Sequence, residues 1–211
     1  MDFKILHLSS ARARVRVNFR LTPDVKVYFK EQASKIENIQ KVDFYQDEYT
    51  FVVIFKEGSS SCLQEFFKLV DKEKVKALIG EVLDLTPDAF NMQSQRLVLL
   101  FDQASEDFWD EVNATYDNKL DKEKLAGFKG ANGTILYFID QKTVHNLGES
   151  FPLYKDAFGV YATHANGMAQ INIWNALTTL NLGASLQHYG PAIETWVKER
   201  YQVPENYQLV A

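Results

Sequence analysis

The sequence predicts an α/β protein made of two modules. Residues 1–70 read in the order strand, helix, strand, strand, helix, which is typical of a small open α/β sandwich. Farther along, two apolar runs, LVLLF at 97–101 and TILYFID at 134–140, alternate with helical patterns. Residues 1–70 carry 11 Lys and Arg against 9 Asp and Glu, whereas residues 71–211 carry 12 against 19. The uneven charge favours a boundary between a near-neutral module and an acidic one.

The first module opens with an alternating segment at residues 3–19, which we read as one strand. Three arginines fall on one face and three small apolar residues on the other: Arg12, Arg14 and Arg16 against Ala13, Val15 and Val17. A helix follows Thr22, which is placed as its cap, with Pro23 in the first turn. We expect this helix to end near Ile36.

Two β-rich runs, KVDFYQ at 41–46 and YTFVVIF at 49–55, come next. Asp47 and Glu48 separate them, so the pattern predicts a hairpin. A second helix, CLQEFFKLV at 62–70, completes the module.

The second module begins with a helical pattern at residues 71–85, followed by a turn rich in amides. The turn reads LTPDAFNMQSQR over residues 85–96 and contains Asn91, Gln93 and Gln95. Carboxamides donate and accept hydrogen bonds at once, so three of them close together suit a planar polar molecule. The alternative is that these amides cap the entry of the next strand and bond the local backbone.

The remaining elements follow from periodicity and from turn residues. We expect helices at 106–116, 141–148, 163–181 and 192–201, and strands at 184–188 and 207–211. Ser105 is placed to cap the first of these helices, and Gly183 is placed to end the longest one. Residues 117–130 are charged and poorly patterned.

Composition excludes several classes of protein. The 211 residues hold no apolar window of about 18 residues, so no membrane span is expected. A net charge of −5 argues against a nucleic-acid binder. The single cysteine, Cys62, forms no internal disulfide, and the start of the chain lacks a secretory signal, so we expect a cytoplasmic protein. No trio of His, Cys and carboxylate stands at ligand spacing, so no metal site is expected.

Six ordered segments carry a resemblance to a known family. They read TPDAFNMQSQRLVLLF, GTILYFID, FPLY, GMAQINIWNAL, NLGASLQHYGP and VPENYQLVA, all within residues 71–211. In this order they resemble the nitroreductase superfamily, in particular its short fungal and bacterial branch. The resemblance implies an FMN-binding α+β fold and a homodimer with flavin at the subunit interface. It also implies electron transfer from NADH or NADPH through the flavin to a small-molecule acceptor such as a nitroaromatic or a quinone.

The resemblance assigns the flavin ring to two segments. In the family the amide turn lies against the flavin, which here implies contacts from Asn91 and Gln93, with Phe90 packed beside them. A second segment of the family faces the N5 side of the ring, and its residues here are Leu186, Gln187 and His188. The alternative for the histidine is a structural role. No catalytic acid or base is expected, because the chemistry resides in the flavin.

One departure from the family concerns the FMN phosphate. The family begins with an Arg-Arg-Ser type segment whose cations hold that phosphate, and nothing similar precedes Asp71. Three arginines of the first module could replace this anchor, namely Arg12, Arg14 and Arg16. The alternative is a solvated basic strand face.

Two further departures lie in the turn and at the end of the chain. Serines of the family turn are replaced here by Asp88, Ala89 and Met92. The family usually continues where this chain has Ala211, so we expect a domain truncated at its C-terminus.

The first 57 or so residues resemble a different family. ILHLSSARARVRV, followed by a helix and KVDFYQDEYTFVVIF, is similar to the heavy-metal-associated domain, a ferredoxin-like βαββαβ fold. Metal-carrying members have two cysteines in the first loop, where this chain reads LSSA. We therefore predict residues 1–70 as a ferredoxin-like βαββα module without metal cysteines, for docking or for covering the second domain.

Together these observations predict an FMN-dependent oxidoreductase of nitroreductase type at residues 71–211. The alternative is a catalytically inactive, nitroreductase-like binding or regulatory protein that no longer holds FMN. The missing phosphate anchor and the added first module favour that alternative.

Overall fold

The computed structural model describes residues 3–211 of the chain. Its contacts divide the chain into two compact units, Met1–Leu78 and Ile79–Ala211. The division falls inside one helix, α2, which spans Cys62–Leu85. The two helical patterns at 62–70 and 71–85 therefore form a single continuous helix, and the α/β class predicted from the sequence is confirmed.

The first unit contains a four-stranded antiparallel sheet and the helix α1. Its elements are β1 (Phe3–Leu8), β2 (Arg12–Val17), α1 (Pro23–Ala33), β3 (Ile39–Phe44) and β4 (Thr50–Phe55). The strands lie in the order β1-β2-β4-β3. The prediction of one strand over residues 3–19 is wrong, because the chain reverses between β1 and β2. The Ser9 N–H closes this turn by donating to the Arg12 carbonyl at 2.8 Å.

The core of the first unit lies on one face of this sheet. The predicted alternation in β2 is confirmed, since Ala13, Val15 and Val17 are buried. Three phenylalanine rings fill the centre with centroid separations of 5.5 to 5.8 Å: Phe29, Phe51 and Phe66. Each ring buries enough apolar surface to stabilise the fold by roughly 1.5–3 kcal/mol. The assignment of this unit to the ferredoxin-like, heavy-metal-associated class stays a prediction.

The second unit contains a three-stranded antiparallel sheet and five helices beyond α2. Its strands are β5 (Gln95–Phe101), β6 (Gly133–Asp140) and β7 (Tyr207–Leu209), in the order β5-β6-β7. Its helices are α3 (Gln103–Thr115), α4 (Lys122–Lys129), α5 (Gln141–Ser150), α6 (Phe158–Thr178) and α7 (Gly190–Tyr201), and short 3₁₀ turns occupy Ala89–Asn91 and Pro152–Ala157.

Apolar clusters cover both faces of this sheet. Phe138 faces one cluster together with residues of α3 and α7, whereas its neighbour Ile139 faces the other with residues of α5 and α6. Successive residues of a strand point to opposite faces, so β6 contributes to both. No helix in the described part of the chain is both long and apolar enough to cross a membrane.

Several local features of this unit differ from the expectations of the sequence. Gly183 does not end the helix predicted at 163–181, because α6 ends at Thr178 with Thr179 as its cap. Helix α3 begins at Gln103, so Ser105 is not its cap; the Ser105 hydroxyl instead lies 2.7 Å from the Thr134 hydroxyl. The poorly patterned stretch 117–130 contains α4, whose cap Asp121 accepts from the Lys124 N–H at 2.9 Å. The prediction of a strand at 184–188 is wrong, because this segment has no regular secondary structure.

Candidate functional site

Arg96 at the start of β5 fixes the shape of the amide turn. Its guanidinium donates to the carbonyls of Gln93 and Gln95 at 2.7 and 2.9 Å, and to the Tyr207 hydroxyl at 3.1 Å. Its remaining nitrogen lies 3.2 Å from the Asp140 carboxylate. The guanidinium nitrogens of Arg96 are therefore all bonded to other groups of the protein.

Asp140 joins three parts of the second unit at one carboxylate. It caps α5 by accepting from the N–H groups of Lys142 and Thr143, and it also accepts from the Asn206 amide at 2.7 Å. Burial acts to raise the pKa of Asp140, but the Thr143 and Asn206 hydrogen bonds and the Arg96 charge outweigh it, so this pKa is lowered.

The backbone of the turn is strained. Phe90, Asn91 and Gln93 have φ values of 57°, 50° and 50°. These values lie in the left-handed region, which residues other than glycine seldom adopt. The Phe90 ring lies 5.0 Å from the Phe151 ring and 5.4 Å from the Tyr154 ring, and it remains partly exposed. Strained backbone persists only where the surrounding structure imposes it, and it is concentrated at functional sites. The strain therefore supports this turn as part of a site.

Asp88 lies inside the same turn with its carboxylate oxygens buried and without hydrogen bonds of ordinary geometry. Burial raises the pKa of Asp88, and the nearby N–H groups of Ser94, Gln93 and Ala89 oppose this effect only in part. The turn therefore carries a carboxylate whose ionisation the fold disfavours.

A relay of three amides connects the turn to α6. The Gln95 amide nitrogen donates to the Ala162 carbonyl at 3.0 Å and to the Ser94 hydroxyl at 3.1 Å. The Asn166 amide donates to the Gln95 oxygen at 2.6 Å, and the Gln170 amide donates to the Asn166 oxygen at 2.6 Å. Of the three turn amides, Gln95 thus matches the alternative in which they bond protein groups.

A cavity of about 410 Å³ lies in the second unit beside α6. Aromatic and aliphatic side chains form most of its wall, including Trp109, Phe128, Ile135, Tyr137, Trp174, Leu186 and Tyr189, and the polar lining includes Gln170 and Gln187. Small-molecule sites are typically apolar cavities of this size with a few polar groups. The structure therefore offers a partly open, apolar surface suited to a flat aromatic ring.

Of the six predicted flavin-contact residues, two line this cavity and four do not. Leu186 and Gln187 belong to its lining, whereas the other four lie outside it: Phe90, Asn91, Gln93 and His188. Within the single described chain, the amide turn and the 186–188 segment are thus not brought into one cavity. Their roles as flavin contacts stay predictions.

The lining fits the ring of FMN better than its phosphate. No Lys or Arg belongs to the lining of the cavity within residues 3–211. In the first unit, Arg12 donates to the Tyr45 hydroxyl at 3.4 Å, Arg14 lies over the Tyr45 ring, and Arg16 lies 3.8 Å from Asp47. Each of these arginines has a local partner, as a structural basic face would.

Helix α6 leaves apolar side chains exposed along its length, namely Val160, Met168, Ile171 and Trp174. Two of them have more than half of their surface accessible, at 53% for Val160 and 52% for Ile171. Exposed large apolar side chains gathered on one helix are typical of an interaction face.

Comparison with known proteins decides the family. The model of the Nitroreductase family matches residues 68–211. The chain belongs to the nitroreductase family. It is 33% identical over 138 residues to HBN1 of Saccharomyces cerevisiae, a match that covers 65% of this chain and 70% of HBN1. The relatives and the fold identify an oxidoreductase of the nitroreductase type.

Solved nitroreductases support the same assignment. Nitroreductase CinD from Lactococcus lactis, in complex with chloramphenicol, is 43% identical with a TM-score of 0.62, covering 65% of this chain and 74% of CinD. A nitroreductase from Saccharomyces cerevisiae is 30% identical with a TM-score of 0.57, covering 65% of this chain and 77% of its own. The resemblance predicted from the six segments is thus confirmed.

Sequence reasoning missed the residues that organise the site. Asn166 directly precedes the quoted segment GMAQINIWNAL and Gln170 lies within it, so the two are four residues apart on one helical face. Two amides at that spacing inside an apolar helix were the available signal. Arg96 and Asp140 lie at the start of β5 and the end of β6, where the antiparallel register brings them together.

Proposed function

We propose that the second unit binds FMN and uses NADH or NADPH to reduce nitroaromatic or quinone acceptors. The observation that carries this proposal is the apolar cavity lined by Leu186 and Gln187, within the residues that match the family. When bound, the flavin accepts a hydride and passes electrons to the acceptor.

In this proposal the residues of the chain bind and orient the flavin, and none of them transfers a proton. Trp109, Phe128 and Trp174 provide flat apolar surfaces that exclude water from the ring. Asn91 and Gln93 remain the proposed contacts of the pyrimidine edge, because carboxamides match its mixture of acceptors and one donor. Since both lie outside the cavity of one chain, a second copy of the chain would have to supply them. Arg96 holds their turn through the Gln93 carbonyl at 2.7 Å.

The acceptor class is inferred from relatives. CinD has been solved in complex with chloramphenicol and with 4-nitrophenol, at 43% identity to this chain in each case. We therefore propose 4-nitrophenol and related small nitroaromatics as acceptors.

We also propose a homodimer formed through α6. The exposed apolar residues of this helix support the proposal, and a second copy would bury them. Light scattering is the measurement, and Ile171→Glu is expected to shift a dimer towards monomer. A monomeric wild-type chain would contradict this part of the proposal.

A second candidate function is binding without redox activity. The lack of Lys and Arg in the cavity lining favours it, because the FMN phosphate needs charged or backbone donors. In that case the chain would bind flat aromatic molecules without NAD(P)H oxidation.

The deciding experiment is a flavin titration followed by turnover. FMN fluorescence is measured against rising protein concentration, and NADH and NADPH oxidation is then followed with 4-nitrophenol. Saturable quenching with turnover supports the reductase. Quenching without turnover supports the second candidate, and absence of any FMN binding rejects the reductase.

A further inference from the structure

The amide relay has one hydrogen-bond direction, set by a backbone carbonyl. The Ala162 carbonyl can only accept, so the Gln95 group facing it at 3.0 Å must be the amide nitrogen. The Gln95 oxygen is then left for Asn166, which must donate to it, at 2.6 Å. This leaves the Asn166 oxygen as the acceptor for the Gln170 nitrogen, also at 2.6 Å.

The direction of the relay decides what Gln170 can offer to the cavity. One N–H of its amide is bonded to Asn166, which is 1% exposed and has no freedom to turn without losing both of its hydrogen bonds, so the amide of Gln170 is fixed in orientation. No hydrogen bond to the Gln170 oxygen exists among residues 3–211, and Gln170 belongs to the cavity lining. Gln170 is thus held with a carbonyl oxygen available to a bound molecule.

Two other polar groups of the lining are held less specifically or are already engaged. The Gln187 amide pairs with the Ser185 hydroxyl at 2.7 Å, and a hydroxyl can donate or accept, so this amide can turn over. The Thr134 hydroxyl is already engaged by the Trp109 indole at 2.9 Å and by Ser105 at 2.7 Å. Of these groups, Gln170 is therefore the one whose oxygen is fixed as an acceptor by its hydrogen bond to Asn166.

We propose that Gln170 selects, among the flat aromatic molecules that enter this cavity, those carrying a hydrogen-bond donor on the ring, such as an amino or hydroxyl group. The proposal rests on the proposed function, since Leu186 and Gln187 belong both to the cavity lining and to the segment assigned to the N5 side of the flavin. Gln170 acts as a specificity-determining residue. A ring without a donor leaves its oxygen without a partner in an apolar site, which weakens binding.

The test compares two ligands that differ in the donor, 4-nitroaniline and N,N-dimethyl-4-nitroaniline. Dissociation constants come from calorimetry on the full chain. Quenching of tryptophan fluorescence locates the ligand, because two of the three tryptophans, Trp109 and Trp174, line the cavity. The variant Trp196→Phe removes the third tryptophan, which lies outside the lining.

The wild-type chain is expected to bind 4-nitroaniline about fivefold more tightly than its dimethyl analogue. Gln170→Met keeps the length of the side chain and removes its oxygen, and the ratio should fall to about one. Gln103→Met, at an exposed position of α3 outside the lining, is the matched control and should keep the wild-type ratio. Because each variant is measured with both ligands, a general loss of stability affects both constants and leaves the ratio interpretable.

Two results would overturn the proposal: an unchanged ratio in Gln170→Met, or no quenching of the cavity tryptophans by either ligand. Failure of the proposed function would look different, because the ligand ratio is measured without flavin. Absence of FMN binding together with the expected ratios would reject the reductase while leaving the selection of donor-bearing rings by Gln170 intact.

Discussion

The interiors of the two units are built on different principles. In the first unit, three phenylalanine rings pack at the centre, and its buried polar or charged side chains among the described residues are Thr50 and Glu73. In the second unit the buried polar residues are Ser94, Gln95, Ser105, Asp140 and Asn166, and the cavity lies among its helices. Buried polar groups cost stability unless they are hydrogen-bonded, and two of these five bond side chains of the cavity lining: Ser105 bonds Thr134, and Asn166 bonds Gln170. The comparison assigns stability to the first interior and function to the second.

The largest expected effect comes from emptying the first interior. Phe51 is fully buried between Phe29 and Phe66, so Phe51→Ala should lower the free energy of unfolding by roughly 3–5 kcal/mol. Urea unfolding followed by circular dichroism measures the loss. Binding of 4-nitroaniline at low denaturant should be retained, because no residue of this core lines the cavity.

The control for that experiment is Val27→Ala, at an exposed position of α1, which should change the stability by less than about 0.5 kcal/mol. If Phe51→Ala abolished ligand binding while the far-ultraviolet spectrum stayed native, the separation of roles between the two units would be wrong.

A smaller loss is expected from Asp140→Ala in the second interior. This change removes the cap of α5 and the interactions with Arg96 and Asn206, and we expect a loss of about 3 kcal/mol at neutral pH. Asp121→Ala is the matched control, because the Asp121 side chain likewise caps a helix, α4, by accepting from the Lys124 N–H at 2.9 Å; it should cost about 1 kcal/mol.

The Asp140 effect has a defined dependence on pH. Because its pKa is lowered below 3.8 in the folded chain, its ionised form contributes stability above that value, and the contribution is lost as pH falls through the folded pKa. Denaturation at a series of pH values should therefore show the gap between wild type and Asp140→Ala narrowing in acid. A gap that stays constant down to the lowest pH at which the chain folds would argue that the carboxylate charge contributes nothing.

The pH dependence of stability caused by Asp88 should be opposite in sign to that of Asp140 and smaller. Its pKa is raised above 3.8, so the folded chain holds the proton more tightly, and stability falls as pH rises from 3.8 through the folded pKa. Asp88→Asn has no carboxylate to ionise, so it lacks this loss. Its free energy of unfolding should exceed that of the wild type by about 1 kcal/mol or less at pH 7. Thermal midpoints at pH 4 and pH 7 measure the difference, with the exposed Asp84→Asn as control. Parallel pH profiles for Asp88→Asn and the wild type would refute it.

The sequence predicts the first interior better than the second for a physical reason. The alternation of Arg and Val in β2 and the cap at Thr22 depend on neighbours within a few residues, and both are confirmed by the structure. The reversal at Ser9 was missed because the alternating pattern continues across the turn. The Gln95–Asn166 hydrogen bond joins residues 71 positions apart, and no local pattern encodes such a contact.

The predicted flavin contacts illustrate the same limit. The family resemblance identifies the amide turn and the 186–188 segment, but the positions of their side chains depend on the path of the intervening helices. The structure brings Leu186 and Gln187 to the cavity and leaves Asn91 and Gln93 outside it. It also turns Gln95 towards α6, although its sequence neighbourhood is the same as that of Gln93.

The smallest expected effect concerns the basic face of the first unit. If its arginines held the FMN phosphate, Arg12→Gln or Arg16→Gln would reduce the preference for FMN over riboflavin at least tenfold for each lost charge-assisted bond, at roughly 1.5–3 kcal/mol. We expect less than a twofold change, because Arg12 is engaged by Tyr45 and Arg16 lies beside Asp47. Fluorescence titration with both flavins measures the preference, and riboflavin controls for general damage because it lacks the phosphate. A tenfold drop confined to FMN would place part of the binding site on the first unit and end the division of roles between the two interiors.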